Sequence, residues 1–248
     1  MKKIYAIFFF SLVAVSLHGQ IDITQFDKSG SFGFYGGTTI PGENFASKDV
    51  DGLFAKNGFQ IGFDLNYIIS HGFAIGFNYE FNKFGFNEQE FLKYANPAQY
   101  RISRGFLSNK IGANIQYNLP IEIIKDKFTL ILSLEGNMGG RTMTIPEIDL
   151  FYSELDNIYT EVSYRSRESS FGYLGYSGGL QLLFANKFGI TISHSALVPS
   201  RHSVRYSVRK LNVSGRVSED ESYFNNFLDH RGLQIGGIVY FNKKSKKE

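Results

Sequence analysis

Between residues 58 and 86 the chain alternates with a period of two. Phe59, Ile61, Phe63, Leu65, Tyr67 and Ile69 are apolar, and Gln60, Gly62, Asp64 and Asn66 between them are polar or tiny. After Ser70-His71-Gly72 the alternation restarts, with Phe73, Ile75, Phe77, Tyr79 and Phe81 on one face and Ala74, Gly76, Asn78, Glu80 and Asn82 on the other. Successive side chains of a strand point to opposite faces, so the stretch predicts an antiparallel hairpin with one apolar and one polar face. The apolar face is a nearly unbroken row of large residues, whereas a sandwich core would alternate large with small. That arrangement predicts lipid on one side and an enclosed polar lumen on the other.

The pattern recurs along the chain. Strands are predicted near residues 30–40, 58–69, 73–86, 108–117, 128–141, 174–184, 188–196 and 232–241, with Ile131 the one inward residue that breaks the alternation. Connections after the second, fourth (118–126) and sixth strands are short, and those after the first, third, fifth and seventh are long. An even strand number with this asymmetry predicts an all-β, eight-stranded antiparallel transmembrane up-and-down β-barrel with long extracellular loops. In the last long connection, 198–230, Val204, Tyr206 and Val208 alternate with Arg205 and Arg209, which predicts a ribbon standing above the membrane.

The ends refine the address. Lys2 and Lys3 precede an apolar run over 4–17 that closes at His18-Gly19-Gln20, the layout of a secretory signal peptide. The expected organisation is a signal peptide over 1–19 (cleavage after Gly19, or else after Gln20), a periplasmic stub over 20–29, a barrel over 30–241 and a basic periplasmic tail over 242–248. Export together with a lipid-facing β-pattern points to a Gram-negative outer membrane. The composition agrees: of 248 residues, 25 are Phe, 26 Gly and 15 Tyr, with 5 Pro and neither Trp nor Cys. The missing cysteines exclude disulfides, thiolate catalysis and cysteine metal sites. A net charge of +3 is too small to argue for nucleic acid as a partner.

Catalytic chemistry is hard to find. His18, His71, His194, His202 and His230 show no metal-ligand spacing, and no cofactor is expected. Ser193-His194-Ser195-Ala196 is the stretch to test for a lipid-modifying pair, but His194 and Ser195 fall on opposite faces and the residue two along is Ala196. The glycines sit within strands, with no phosphate-binding loop or lysine to accompany them.

Charge is more informative. Counting from the short turns places Glu80, Lys110 and Glu135 inward at one level, with Arg141 higher and Asp64 also inward, so a lumen charge cluster is expected to plug the barrel. In the loops, the acids Glu147, Asp149, Glu154, Asp156 and Glu161 face a basic segment. Its residues Arg201, Arg205, Tyr206, Arg209, Lys210 and Arg216 form a candidate partner surface, which either binds lipopolysaccharide or pairs with those acids.

The layout resembles the PorT-like family of small outer-membrane β-barrel proteins and, more distantly, the eight-stranded OmpX and OmpA type. The similar features are the 58–86 hairpin, the 108–124 segment with its Tyr117-Asn118-Leu119-Pro120-Ile121 step, the 188–196 strand and the aromatic-ended final strand. The resemblance implies a barrel in the outer membrane and, for some members, a part in protein secretion. The expected function is non-enzymatic: contact with a cell-envelope or secretion partner through loops or periplasmic rim. The alternatives are a narrow porin-like channel and a lipid A-modifying enzyme.

Overall fold

The alternating stretches are the ones that pair. The computed structural model describes residues 28–48, 53–70, 72–124, 127–153, 159–185 and 187–242, so the expected signal peptide, most of the stub and most of the tail lie outside the described residues. In chain order the elements are β1 (Lys28–Pro41), a short helix α1 (Glu43–Ala46), β2 (Ala55–Ser70), β3 (Phe73–Phe86), α2 (Glu88–Ala95), β4 (Gln99–Ser103), β5 (Phe106–Ile124) and β6 (Phe128–Thr144). They continue with β7 (Glu147–Phe151), β8 (Tyr159–Ser166), β9 (Ser169–Phe184), β10 (Phe188–Leu197), β11 (Arg201–Asn212), β12 (Val217–Phe227) and β13 (His230–Asn242).

Eight strands close into an antiparallel barrel in the order β1-β13-β10-β9-β6-β5-β3-β2. Closure sets Phe32 opposite Val239 and Tyr35 opposite Gly236, so first and last strands cover each other's edges. The residues expected outward stand exposed, among them Phe59, Ile61, Leu65, Ile115, Leu134, Leu174, Ile190 and Ile235. A continuous belt of such side chains has no protein to pack against and would be costly in water, while closure satisfies the backbone internally. The belt therefore faces lipid and the barrel spans a membrane. No described helix is long and apolar enough to cross one.

Inward, bulk on one strand is matched by its absence on the next. A Cβ on Gly62 would strike the ring of Tyr35, its register partner on β1. At the β2–β3 turn Gly72 has φ +82°, a left-handed conformation that favours glycine, and its carbonyl accepts the Asn118 N–H at 2.9 Å.

The structure corrects the expected connections in two places. The short connection expected over 118–126 is mostly strand: Asn118 lies opposite Ser133 and Pro120 opposite Ile131. The β3 register on β5 ends at Tyr117, and the Asn118 N–H is taken by Gly72, so Pro120 lies past the end of β3, where proline is tolerated. The three long loops over 87–105, 142–170 and 198–230 contain α2 and a second sheet in the order β12-β11-β8-β7-β4. The ribbon expected in the last of them is the β11–β12 hairpin.

Three apolar clusters organise the interior. Ile68, Ala74, Ile131, Leu183, Ile238 and Tyr240 close the lumen at the short-turn end, which accounts for Ile131 as the inward exception. Phe45, Phe84, Phe106, Met143, Val204 and Leu228 close it at the loop end. There Phe45, carried by α1, packs edge-on at 5.0 Å against both Phe84 and Phe106. The third cluster, Ile148, Leu150 and Val162, packs with Phe91 and Leu92 of α2 beneath the second sheet.

Candidate functional site

Two regions hold the charged residues that the alternation singled out. In the lumen, Gly62, Glu80, Lys110 and Arg141 are register neighbours across β2, β3, β5 and β6. Lys110 Nζ lies 2.6 Å from Glu80 Oε1, and both residues are buried. Glu80 is the hub of the site. Asn82 Nδ2 donates to its Oε1 at 2.8 Å, while Tyr35 Oη and Gln234 Nε2 donate to its Oε2 at 3.3 and 3.2 Å. His230 Nε2 stands 3.8 Å from Oε1. Four donors on two oxygens offset much of what burying a carboxylate costs.

The other expected members of the cluster are distributed differently. Arg141 turns toward the loop end, where Nε donates to Ser108 Oγ at 2.7 Å, Nη1 donates to the Leu228 carbonyl at 2.5 Å, and the guanidinium lies over the Phe171 ring. It thus ties the barrel wall to the mouth cluster and is not part of the Glu80 pair. Glu135 lies opposite Gln116, below the Lys110 row, and accepts a hydrogen bond from Asn137. Counting upward from residue 126 set Glu135 at the Lys110 level, but the β5–β6 hairpin runs past the Gly72 turn and that origin is too low. Asp64, opposite Asn78, lines the same cavity as Glu80, Lys110 and Glu135. The cavity measures about 60 Å³, room for a few waters and for nothing larger.

The second region is the sheet built from the loops. Arg201, Arg205 and Arg209 stand exposed on one face of β11, whereas Tyr206 and Lys210 alternate onto the other, with Tyr206 against Tyr164 and Lys210 over the Tyr159 ring. Arg216 sits at the β11–β12 turn, where its N–H donates to Asn212 Oδ1 at 2.7 Å. The six candidate residues therefore form two faces and a tip, not one surface. Arg201 lies over Phe227 and Arg205 over Tyr223, which holds both guanidiniums in place. Loop acids do meet bases, but through β8 and the residue after it: Arg165 pairs with Asp149 at 2.6 Å, and Arg167 with Glu219 at 3.7 Å. Glu154 and Asp156 lie outside the described residues.

His194 and Ser195 point apart as expected, since His194 is exposed and Ser195 Oγ accepts from Gln234 inside. Among the described residues, a serine–histidine pair does form between Ser200 and His202, Oγ to Nε2 at 2.5 Å. The even-spacing rule applied to His194 would also have found it. His71 lies outside the described residues. Among the described residues no group of three His, Asp or Glu side chains is placed to hold a metal ion.

No family model and no curated relative matches the chain. Solved structures with a similar chain path include the outer membrane protein OprG from Pseudomonas aeruginosa, at 13% identity over 87% of this chain and 98% of that one, with a TM-score of 0.46. Neisserial surface protein A matches at 13% identity over 86% and 97%, TM-score 0.44. Ail, the attachment invasion locus protein of Yersinia pestis, matches at 14% identity over 86% and 98%, TM-score 0.38. The assignment as an eight-stranded antiparallel transmembrane β-barrel rests on the strand register and the outward apolar belt described above.

Proposed function

We propose that this chain is an integral outer-membrane protein of a Gram-negative envelope that works by binding a protein partner at the exposed face of its second sheet. The observation that carries the reading is the contrast between a lumen closed at both ends by apolar clusters and loops organised into a five-stranded sheet. A channel needs the first to be open, and a purely structural barrel has no need of the second. The outer face of the sheet interleaves signs: Arg101, Arg165, Arg205 and Arg209 stand among Asp149, Glu161, Glu219 and Glu221. Such a mosaic suits a protein surface of complementary pattern better than the uniform negative charge of lipopolysaccharide. A cell-envelope or secretion component is the partner class that the PorT-like resemblance implies.

Two measurements test this reading. Unboiled and boiled samples should migrate differently in detergent gels, because the closed barrel resists detergent until heated; identical migration together with carbonate extraction would remove the membrane assignment. Affinity isolation from detergent-solubilised outer membranes should recover a partner with the unaltered chain and lose it with the Arg201→Glu, Arg205→Glu, Arg209→Glu triple variant. Equal recovery with that variant would move the binding surface to the opposite rim.

A further inference from the structure

The lipid-facing side of β6 and β9 carries a groove with a polar end. Gly140 and Gly172 are register partners there, and a Cβ on Gly140 would meet nothing within 4 Å, so the barrel wall is dented beside the exposed pair Met138 and Leu174. Met138, Gly172 and Leu174 line a groove of about 520 Å³ beside it. Val198, Ser200 and His202 overhang it where the chain leaves β10, and the overhang is anchored by the Val198 N–H donating to the Leu174 carbonyl at 2.9 Å.

The polar end is the Ser200–His202 pair. The His202 ring stacks on Phe171 with 4.1 Å between centroids, which fixes its plane. Burial first, and then the charge of Arg141, hold the ring below the usual histidine range, so it is neutral at pH 7. A neutral imidazole and a hydroxyl carry one polar hydrogen each; one is used within the pair and the other has no side-chain partner among the described residues. The groove is thus an apolar trough that ends in a single uncharged donor.

We propose that this groove holds one acyl chain of a membrane lipid, with the ester carbonyl of that chain accepting a hydrogen bond from the Ser200–His202 pair. The occupant follows from position: the trough is continuous with the lipid-facing belt through Met138 and Leu174. A carbonyl suits a lone neutral donor, whereas a phosphate would need a cation. The pair binds and does not cut, because the charge that acts on His202 is a cation, and among the described residues no carboxylate is placed to orient it as a base. The site rests on the membrane reading above, and the experiment separates the two.

Full-length protein is refolded into ester-linked phosphatidylethanolamine vesicles doped with a phosphatidylethanolamine that carries a photoactivatable acyl chain, and in parallel with its ether-linked analogue. Labelled peptides are then quantified by mass spectrometry. The ester probe should label the Met138 and Leu174 peptides in excess over belt positions such as Ile115 and Ile190. Replacing ester by ether, Ser200→Ala, or His202→Phe should each cut that excess by about five- to tenfold, the worth of one hydrogen bond. Gly172→Phe, which fills the groove from the barrel wall, should abolish it while heat-modifiable migration persists. Even labelling around the barrel, or an excess indifferent to the ester, overturns the site alone. Absence of label at Ile115 and Ile190 as well overturns the membrane reading and the site with it. Release of free fatty acid that Ser200→Ala abolishes would also overturn the proposal, by making the pair catalytic.

Discussion

Lys110–Glu80 and Arg165–Asp149 are ion pairs of the same length, 2.6 Å, in opposite surroundings. In the lumen pair the side chains are 8% and 5% exposed; in the sheet pair they are 43% and 19% exposed. Length therefore says little about energetic weight. In the lumen neither charge can recover bulk water if its partner is lost, and three further donors are arranged around the carboxylate. On the sheet, water and salt compete with the pair at every moment. The same kind of ion pair is thus sealed inside the barrel in one place and left open to solvent on the sheet in the other.

The sharpest way to break that comparison is Lys110→Met. It strands the Glu80 carboxylate without its cation and should cost about 3–5 kcal/mol in urea unfolding from lipid vesicles. Adding Glu80→Gln should return much of the loss, because the buried charge is then gone. A single-variant cost at the level of an exposed pair would mean that the lumen is wet. Next, Phe45→Ala should cost about 3 kcal/mol by opening a cavity in the mouth cluster. It should also shrink the coupling between Lys110 and Glu80 in a double-mutant cycle as water gains entry; an unchanged coupling would show that Phe45 does not seal the lumen. Arg165→Gln should cost at most about 1 kcal/mol, and less in high salt. A larger, salt-insensitive loss would make the sheet pair equivalent to the lumen pair.

The smallest effect concerns α2 beneath the sheet. A hydrogen bond from Lys93, then the charges of Lys93 and Lys48, lower the pKa of the partly exposed Glu90 carboxyl. A depressed folded pKa contributes stability that is present above the ordinary glutamate range and lost as pH falls through the folded value. Amide shifts of α2 followed by NMR should move in that acid window, and Glu90→Gln should abolish the movement. A titration that persists in this variant would assign it to Glu88 instead.

Much of the barrel was legible because its signal is local. Lipid outside and a narrow lumen inside impose a period of two on each strand separately, so Phe59, Ile61 and Leu65 against Gln60, Gly62 and Asn66 declare both faces without knowledge of any neighbour. Placing Glu80 beside Lys110 worked for a related reason: the origins of the two counts, Gly72 and Asn118, are hydrogen-bonded to each other and so lie at one level. Counting failed for Glu135, because β5 and β6 extend past the level of Gly72 and Asn118. The direction of Arg141 was decided by Ser108 and the Leu228 carbonyl, groups far from it in sequence. The second sheet was equally invisible, since Ile102, Ile148 and Leu150, and Val162 and Tyr164 come from two different loops and form an apolar face only once paired. What the sequence by itself determined was which way each side chain of the barrel points, a property of single strands. Which charge meets which, what closes the mouth and how the loops join depend on strand register and on long-range packing, and only the tertiary structure decides those.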